Sequence, residues 1–328
     1  MTEQPATASQ PATDHPATAP HPPLLSVRDL TVEYRSRRHR VVAVNGVSLD
    51  IAPGETVGLV GESGSGKTTL GRAVLGLVAP AAGRIAFDGR DITRARGAAR
   101  RALARDIQVV FQDPYGSLNP AMTVSSILAE SLRARGRLPR PEVAGRVGEM
   151  LARVGLPASA AGGYPGAFSG GQRQRLAIAR ALMPGPRLVI CDEATSALDL
   201  SVQAQVLNLL RDLQRQYALS YLFIGHDLDV VRFAAHRIVV MYHGLVMEAG
   251  PADAVARDPR HPYTRLLVAA AAGGQGRPGR PGDRAAPPAG GCPFAPRCHL
   301  ATDICRTEAP PLVRRTDFSV ACHHQEEQ

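Results

Sequence analysis

The chain has 328 residues, of which 44% are hydrophobic, and it carries a formal net charge of +9 at neutral pH. This length and composition allow two or three domains with a sizeable core, and they exclude a wholly disordered chain. No stretch approaches the ~18 uninterrupted apolar residues that span a bilayer, and the N-terminus lacks the features of a signal peptide. We therefore expect a cytosolic protein.

Arginines supply much of the positive charge, and they concentrate in residues 94–105 and 133–153. A basic surface of this kind suits nucleic acid, but solvated arginine-rich helices, or a face near anionic lipid, explain the same count. We expect no nucleic-acid partner.

The first elements are predicted from composition and alternation. Residues 1–23 contain almost no large apolar side chain, so burial cannot offset the entropy of ordering them and we expect a disordered tail. Partial alternation of apolar and polar residues follows at 25–32 and again at 41–51, where it includes Asn45-Gly46. These patterns predict two or three antiparallel strands before the glycine-rich loop that begins at residue 61.

Short apolar runs then predict a mostly parallel sheet of an α/β fold. They recur, with helical patterns between several of them, at 56–60, 107–111, 188–191, 221–224 and 238–241. Between 123 and 183 no comparable run appears, and arginine-rich amphipathic stretches predict a helical insertion.

A later helix and a linker complete the expected layout. The helix over 201–217 carries a core-facing apolar stripe formed by Val202, Val206, Leu209, Leu210 and Leu213. Residues 273–291 are mostly Gly, Pro, Ala and Arg, which marks a linker. We expect the cysteine-containing segment beyond it, 292–328, to be a separate appendage.

A glycine-rich loop carries the strongest functional signal. After the apolar run 56–60 the chain reads Gly61-Glu62-Ser63-Gly64-Ser65-Gly66-Lys67-Thr68-Thr69. Glycines at this spacing let backbone N–H groups face phosphates, and the following helix presents its positive end. Lys67 would reach the β- and γ-phosphates and Thr68 would hold Mg²⁺, so we expect ATP or GTP rather than a ligand-free turn.

Two carboxylates follow the apolar run 188–191. Asp192 would orient Mg²⁺ through its water shell, and Glu193 would polarise the attacking water. Many strands end in acidic turn residues, so this signal is strong only because the phosphate loop precedes it.

The segment Ser169-Gly170-Gly171-Gln172 precedes a helix rich in alanine and arginine. Ser169 and Gln172 have the spacing of a helix-capping box, which needs no ligand. A serine hydroxyl and glycine N–H groups at a helix N-terminus also form a phosphate site. Two phosphate sites in one chain indicate that two chains share each nucleotide.

The order of these motifs resembles the nucleotide-binding subunits of ATP-binding cassette (ABC) transporters, over about residues 24–272. In that resemblance 61–68 is the Walker A motif and 169–172 the signature motif, while Asp192 and Glu193 are the Walker B aspartate and the catalytic glutamate. It implies a P-loop NTPase cassette with an antiparallel β subdomain, a helical subdomain at about 123–183 and a cysteine-rich appendage.

The same resemblance assigns roles to four further residues. Gln112 would be the Q-loop glutamine near Mg²⁺, and Asp199, which ends Ser196-Ala197-Leu198-Asp199, would belong to the D-loop. His226 would be the switch histidine at the γ-phosphate, and Tyr34 would stack on adenine. Each assignment has an alternative without a ligand. Gln112 could be a plain turn residue, His226 a hydrogen-bonded polar residue, and Tyr34 a packing residue.

Small departures from the family pattern occur at Phe168, Ala194 and Gly225, where leucine, proline and serine are usual. None of them removes a reactive group, so we expect hydrolysis to be retained.

Three segments, 111–120, 201–207 and 261–264, are similar to the oligopeptide, dipeptide and nickel importer group. Residues 69–72 and Tyr115 resemble the second of two ATPase subunits, which implies a heterodimer. The resemblance thus implies an ATP-hydrolysing motor of an importer for di- or oligopeptides, at the cytoplasmic face of the membrane. Its partners would be a second ATP-binding subunit, two transmembrane permeases and, indirectly, an extracytoplasmic binding protein.

Three alternatives remain open at this point. The transported solute could be nickel or another small molecule, the chain could be a soluble ABC ATPase acting on nucleic acid or ribosomes, or it could be a P-loop kinase. The kinase alternative leaves residues 169–172 unexplained.

Four of the five cysteines fall within the last forty residues, and in a cytosolic chain thiols or metal ligands are more typical than disulfides. Cys292, Cys298, Cys305 and Cys322 lack the Cys-x2-Cys knuckles common in zinc sites. Four thiolates suit a 4Fe–4S cluster, which the resembled appendage is associated with. Zinc with a substitute ligand, or free thiols, remain alternatives; the substitute ligands would be His299, His323 or His324. Cys191 is expected to pack in the core.

Overall fold

The computed structural model describes residues 22–35, 40–132, 138–271, 288, 290–315 and 317–324. Residues 1–21 of the predicted tail and most of the predicted linker lie outside this part of the chain. The strands are β1 Leu25–Arg35, β2 Arg40–Ile51, β3 Thr56–Val60, β4 Ala82–Phe87, β5 Arg90–Asp91, β6 Ile107–Val110, β7 Leu188–Asp192, β8 Ser220–Gly225, β9 Arg237–Tyr242, β10 Leu245–Pro251, β11 Val313–Arg314 and β12 Ser319–Val320.

The helices are α1 Lys67–Val74, α2 Gly97–Asp106, α3 Pro114–Ser117, α4 Val124–Leu132, α5 Arg140–Arg153, α6 Gly170–Leu182, α7 Leu200–Tyr217, α8 Leu228–Ala234, α9 Ala252–Arg257, α10 Pro262–Ala271 and α11 Asp303–Thr307. Short 3₁₀ turns cover Ala158–Gly162, Pro165–Ala167 and Ala295–Arg297. Among the described residues, none of the helices combines the length and the apolar character that a bilayer span requires.

The main sheet has the strand order β11-β12-β10-β9-β3-β8-β7-β6. Strands β9, β3, β8, β7 and β6 run parallel, whereas β10, β12 and β11 are added in antiparallel fashion at one edge. The strand β3 lies in the middle, so the loop that follows it sits at the centre of the carboxyl edge of the sheet, where ligands bind in open α/β folds.

A separate antiparallel sheet has the order β2-β1-β4-β5. The expectation of two or three antiparallel strands before residue 61 is right for β1 and β2, but the third strand, β3, belongs to the parallel sheet. Asn45 and Gly46 form a bulge inside β2. Leu30 pairs with Val47 and Val32 with Val44, so Asn45 and Gly46 together lie opposite the single residue Thr31 of β1.

The main sheet separates two cores, because alternate side chains of its central strands point to opposite faces. In β8, Leu222 and Ile224 pack with α1 and the antiparallel sheet. Tyr221 and Phe223 pack on the other face with the helical part of the chain. Cys191 is fully buried on that second face, as expected.

The described residues between β6 and β7 form helices and no strand. The apolar stripe of α7 buries Val206, Leu210 and Leu213 as predicted, together with Leu207. Val202 and Leu209 are partly buried against the same core. The described chain therefore has the α/β layout, the separate antiparallel sheet and the helical part that the resemblance implies.

The C-terminal segment does not stand apart, which corrects the expectation of a separate appendage. Strand β12 pairs with β10 and thereby extends the main sheet. The side chain of Phe294 is buried. Its ring centroid lies 5.5 Å from that of Tyr242 and 5.4 Å from that of Tyr263. The segment has little core of its own, and it buries its apolar side chains by using the core of the cassette.

Candidate nucleotide site

The phosphate loop between β3 and α1 depends on glycine at two positions. Gly61 has φ +155° and a Cβ there would lie 2.1 Å from the Met241 carbonyl oxygen. Gly66 has φ +101° and a Cβ there would lie 2.2 Å from the Ala43 carbonyl oxygen. Backbone from β9 and β2 thus encloses the loop so closely that side chains at these positions are excluded.

Lys67 lies at the centre of this loop and is only 4% exposed. Its ammonium group donates to the carbonyl oxygens of Gly61 (2.7 Å) and Glu62 (2.9 Å) and to Ser65 Oγ (3.2 Å). Burial lowers the pKa of Lys67, and the nearby carboxylates, among them Glu193, oppose this effect. The loop therefore curls around a cation.

Thr68 connects the phosphate loop to the end of β7. Its hydroxyl donates to Asp192 Oδ1 over 2.9 Å, although the two residues are far apart in the sequence. Burial raises the pKa of Asp192, and the hydrogen bond from Thr68 partly offsets that increase. A hydroxyl and a carboxylate side by side are oxygen ligands of the kind that Mg²⁺ prefers, so these residues fit the predicted ion.

Glu193 follows β7 in a strained backbone conformation, with φ +50°. Its N–H donates to the Ile224 carbonyl oxygen (2.9 Å), and its carbonyl oxygen accepts from Ser196 Oγ (3.0 Å). The carboxylate Oε2 lies 3.5 Å from His226 Nδ1, at the end of β8. The adjacent strands β7 and β8 thus bring the two predicted catalytic residues together.

The remaining predicted residues of this site lie at its rim. Tyr34 is the penultimate residue of β1 and is 42% exposed, and its hydroxyl lies 3.4 Å from Thr69 Oγ1, beside the loop. Gln112 is exposed in the loop after β6. Ser63 and Gly64 are exposed at the tip of the phosphate loop.

Three of the predicted signature and D-loop residues, Ser169, Gln172 and Asp199, are exposed and take part in helix caps. Ser169 and Gln172 form a complete capping box on α6, because Ser169 Oγ accepts from Gln172 N and Gln172 Oε1 accepts from Ser169 N. Asp199 caps α7 by accepting from Val202 N (2.9 Å) and from Ser201 Oγ (2.7 Å). Gly171 sits against the other helix, because a Cβ there would lie 2.5 Å from Val202 Cγ1.

One departure from the family pattern has a steric cause. A Cβ at Gly225 would lie 2.7 Å from Val231 Cγ2, so the valine of α8 occupies the space of the usual serine. Ala194 is buried and packs in the core with Cys191.

The structure also reveals residues that sequence reasoning missed. The carboxylate of Glu62 forms two hydrogen bonds with Arg297, and the Glu62 N–H donates to the hydroxyl of Tyr263. Nothing in the sequence marked Arg297, which lies 235 residues from Glu62. The similarity of residues 261–264 to the importer group is a partial signal for Tyr263.

The four C-terminal cysteines lie close to one another but do not form a metal site. Cys292 N donates to the Cys305 carbonyl oxygen (2.8 Å), and Cys305 Sγ is 3.7 Å from His324 Nε2. Burial raises the pKa of Cys292 to about 11 and also raises that of Cys298 and Cys322. Within the described stretches no three His, Cys, Asp or Glu side chains are grouped so that they could hold an ion. The predicted metal centre is thus not confirmed.

A phosphate loop after the central strand β3, with an acidic pair at the end of β7, one strand beyond β8, defines a P-loop ATPase of the ABC class. The sequence profile of the ABC transporter family matches residues 44–196. The profile of the oligopeptide/dipeptide transporter C-terminal region matches residues 247–305.

Similar proteins over nearly the whole chain agree with these profiles. A protein named as a peptide import ATP-binding protein in Brucella abortus (strain 2308) is 49% identical and covers 90% of this chain and 91% of its own length. The di/tripeptide transport ATP-binding protein DppF of Pseudomonas aeruginosa is 44% identical, with 93% and 98% covered. The chain belongs to the ATP-binding subunits of ABC transporters, in the oligopeptide/dipeptide transporter group.

Solved structures show the same cassette. The ATP-binding cassette MJ0796, in a dimeric post-hydrolysis state with ADP and phosphate, matches with a TM-score of 0.64 at 29% identity, covering 70% of this chain and 98% of that one. CbiO1 from Clostridium perfringens, part of the transporter complex cbiONQ, matches with a TM-score of 0.65 at 29% identity, covering 72% and 91%.

Proposed function

We propose that the chain is the ATP-hydrolysing subunit of an importer for di- or oligopeptides. The observation that carries this proposal is that Lys67, the Thr68–Asp192 pair and the Glu193–His226 pair lie close together at the carboxyl edge of the main sheet. The peptide specificity is supported by the names of relatives that are 44–49% identical. Peptide import is thus favoured over nickel import and over action on nucleic acid or ribosomes.

In the proposed mechanism the loop 61–69 binds the phosphates of ATP, and Tyr34 stacks on the adenine. Lys67 exchanges part of its bonding to the loop carbonyls for the β- and γ-phosphates. Thr68, Gln112 and Asp192 would hold Mg²⁺, which neutralises phosphate charge when bound.

Hydrolysis is assigned to the pair at the ends of β7 and β8. Glu193 orients and polarises the attacking water, and its left-handed backbone conformation is fixed by hydrogen bonds to Ile224 and Ser196. His226 lies 3.5 Å from the same carboxylate and is exposed enough to contact the γ-phosphate. Glu193 would thus contact the attacking water while His226 contacts the γ-phosphate.

Ser169, Gly170, Gly171 and Gln172 are proposed to complete the site of a second ATP-binding subunit. Ser169 and Gln172 are exposed, and the N-terminus of α6 carries the positive end of the helix dipole. Asp199, at the start of α7, would lie at the same subunit boundary. The likeness to a cassette solved as a dimer supports this arrangement, and the resemblance of 69–72 to the second ATPase subunit favours a heterodimer.

The remaining partners follow from the proposed import function. ATP binding closes the two subunits and hydrolysis reopens them, so that the loop carrying Gln112 moves two permease subunits at the cytoplasmic face of the membrane. An extracytoplasmic binding protein would act only through those permeases. Co-purification with two polytopic membrane proteins and uptake of labelled di- and oligopeptides, with Ni²⁺ as the competing solute, test these assignments.

A metal centre at Cys292, Cys298, Cys305 and Cys322 stays a prediction from the sequence, with a 4Fe–4S cluster first and Zn²⁺ as its alternative. The described side chains do not form such a site, so no step of the mechanism passes through one. Anaerobic purification followed by iron, sulfide and zinc analysis tests it: one zinc per chain refutes iron–sulfur, and the absence of both metals refutes the centre.

Mg²⁺-dependent ATP hydrolysis by wild type and two variants tests the catalytic assignment. Lys67→Ala should weaken ATP binding, whereas Glu193→Gln should keep binding and trap the closed dimer, with turnover reduced about 10³-fold. Near wild-type turnover of Glu193→Gln would contradict the role of that residue.

A further inference from the structure

The phosphate-loop carboxylate of Glu62 is held by a residue from the C-terminal segment. Arg297 NH1 lies 3.0 Å from Glu62 Oε2, and Arg297 NH2 lies 3.0 Å from Glu62 Oε1. This is the two-bond geometry in which guanidinium and carboxylate interact most strongly. The Arg297 side chain is 7% exposed and the Glu62 side chain 26%, so water screens the pair weakly.

The position of Arg297 is fixed by its own segment. It ends the 3₁₀ turn Ala295–Arg297, directly after the buried Phe294. The guanidinium carbon lies 5.6 Å from the ring centroid of Phe294 and 5.8 Å from that of Tyr242, and NH1 is 3.4 Å from the Tyr242 hydroxyl. These rings belong to the core shared by the C-terminal segment and the main sheet. Their contacts therefore hold the guanidinium group in a fixed position beside the phosphate loop.

The backbone of Glu62 is held from the same side. Its N–H donates to the hydroxyl of Tyr263 over 2.8 Å, and Tyr263 is fully buried at the start of α10. Burial raises the pKa of Tyr263, so the group stays a neutral hydroxyl. Both the carboxylate and the N–H of Glu62 therefore have partners from the C-terminal third of the chain.

Charge gives this contact a consequence for the nucleotide. Glu62 is a carboxylate in a loop whose function is to surround a triphosphate, and its field reaches Lys67. Left unpaired at this place, a negative charge repels phosphate and competes for the lysine. Paired with Arg297, it contributes almost no net charge.

We propose that Arg297 is a positioning residue for ATP: by pairing with Glu62 it neutralises that carboxylate and makes ATP affinity depend on the docked C-terminal segment. This inference rests on the proposed function, because it assumes that the triphosphate binds at 61–69. It concerns affinity, so KM should respond and kcat should not.

The test compares Arg297→Met, Glu62→Gln and the double variant in the full chain. Methionine keeps side-chain bulk beside the rings of Tyr242 and Phe294, and Arg297→Gln is made in parallel in case Arg297→Met does not fold. The matched control is Arg306→Ala, which removes an arginine of the same segment from an exposed ion pair with Asp303. Thermal unfolding establishes that each protein is folded.

ATP dissociation constants and the separate KM and kcat of hydrolysis are then measured at low and high salt. Loss of one charge-assisted pair is expected to raise KM for Arg297→Met about 10-fold, with kcat within about twofold of wild type. The double variant should return to near the KM of Glu62→Gln, because no carboxylate is left to repel phosphate. High salt should shrink the difference between Arg297→Met and wild type.

Three results would overturn the inference. One is a KM for both Arg297 variants equal to that of Arg306→Ala. Another is a double variant no better than Arg297→Met, which would show that Arg297 acts through shape alone. A wild-type chain that binds no ATP would remove the proposed function itself, and this result is distinguishable because it appears before any variant is compared.

Discussion

His261 provides a quantitative prediction about pH. The residue is 1% exposed, directly before α10, and its Nδ1 accepts a hydrogen bond from the N–H of Tyr263 over 3.0 Å. Burial lowers the pKa of His261 from 6.5 to about 4, against a smaller opposite effect of a hydrogen bond with the backbone of Ala321. The folded chain therefore keeps the ring neutral under conditions in which the unfolded chain protonates it.

The sign and size of the effect follow from proton linkage. Above pH 6.5 the ring is neutral in both states and adds no pH dependence. Between pH 6.5 and 4 the unfolded chain binds a proton that the folded chain excludes, so the free energy of unfolding falls as the pH falls. Since the pKa differs by about 2.5 pH units, at about 1.4 kcal/mol per unit, the full loss below pH 4 is about 3.5 kcal/mol, and about 3 kcal/mol of it is reached at pH 4.

Urea unfolding of wild type and His261→Asn at pH 7 and pH 4 measures this loss. Asparagine is a favoured helix cap whose side-chain oxygen can accept from Tyr263 N, so it removes the titration and keeps the bond. The buried carboxyl of Glu248, which accepts from the His261 N–H, has a raised pKa and contributes with the opposite sign in both proteins. The difference in the free energy of unfolding between wild type and His261→Asn should therefore change by about 3 kcal/mol between pH 7 and pH 4. Parallel pH profiles would refute the burial argument.

Three further predictions concern the nucleotide site and its neighbours. Ser169→Arg should abolish turnover at the nucleotide of the partner subunit and leave ATP binding at this chain's own loop intact, measured in mixed dimers with one altered chain. Tyr34→Ala should raise the KM for ATP about tenfold through lost stacking, whereas Tyr34→Phe should stay near wild type. Gly225→Ser should lower the free energy of unfolding by about 1–3 kcal/mol, because its Cβ meets Val231, and Val231→Ala in the same chain should restore most of it.

Each of these has an outcome that contradicts it. Loss of ATP binding at the altered chain's own loop would disprove the shared site inferred for Ser169. An unchanged KM for Tyr34→Ala would leave Tyr34 a packing residue beside Thr69. Equal stability of Gly225→Ser and wild type would show that α8 moves aside freely.

The sequence predicted those parts of the site that depend on local chemistry. Glycines at 61 and 66, followed by Lys67, dictate a loop that curls around a cation, because few other residues permit that backbone. Asp192 and Glu193 were predictable because a buried apolar strand ends where they begin, and the carboxyl ends of parallel strands meet at one edge.

Contacts across long sequence distances were not predictable in the same way. Strands β5, β11 and β12 have two residues each, too few for any alternation to show. The pairing of Arg297 with Glu62 needs the C-terminal segment to lie on the main sheet, which composition alone did not indicate because its prolines and arginines are typical of a loose tail. The left-handed conformation of Glu193 likewise depends on its bond to Ile224 on the next strand.

The turn between β9 and β10 links the phosphate loop to both the antiparallel sheet and the C-terminal segment. In this turn His243 and Gly244 both have positive φ, the geometry of a tight hairpin. The Gly244 N–H donates to the Ser65 carbonyl oxygen (3.0 Å), and the Gly244 carbonyl oxygen accepts from Asn45 N (2.9 Å) in β2. Strand β10, which begins after the turn, pairs with β12 of the C-terminal segment. Because one hairpin contacts the loop, the antiparallel sheet and the strand that docks the cysteine segment, displacement of that segment would act on the loop through the backbone as well as through Arg297.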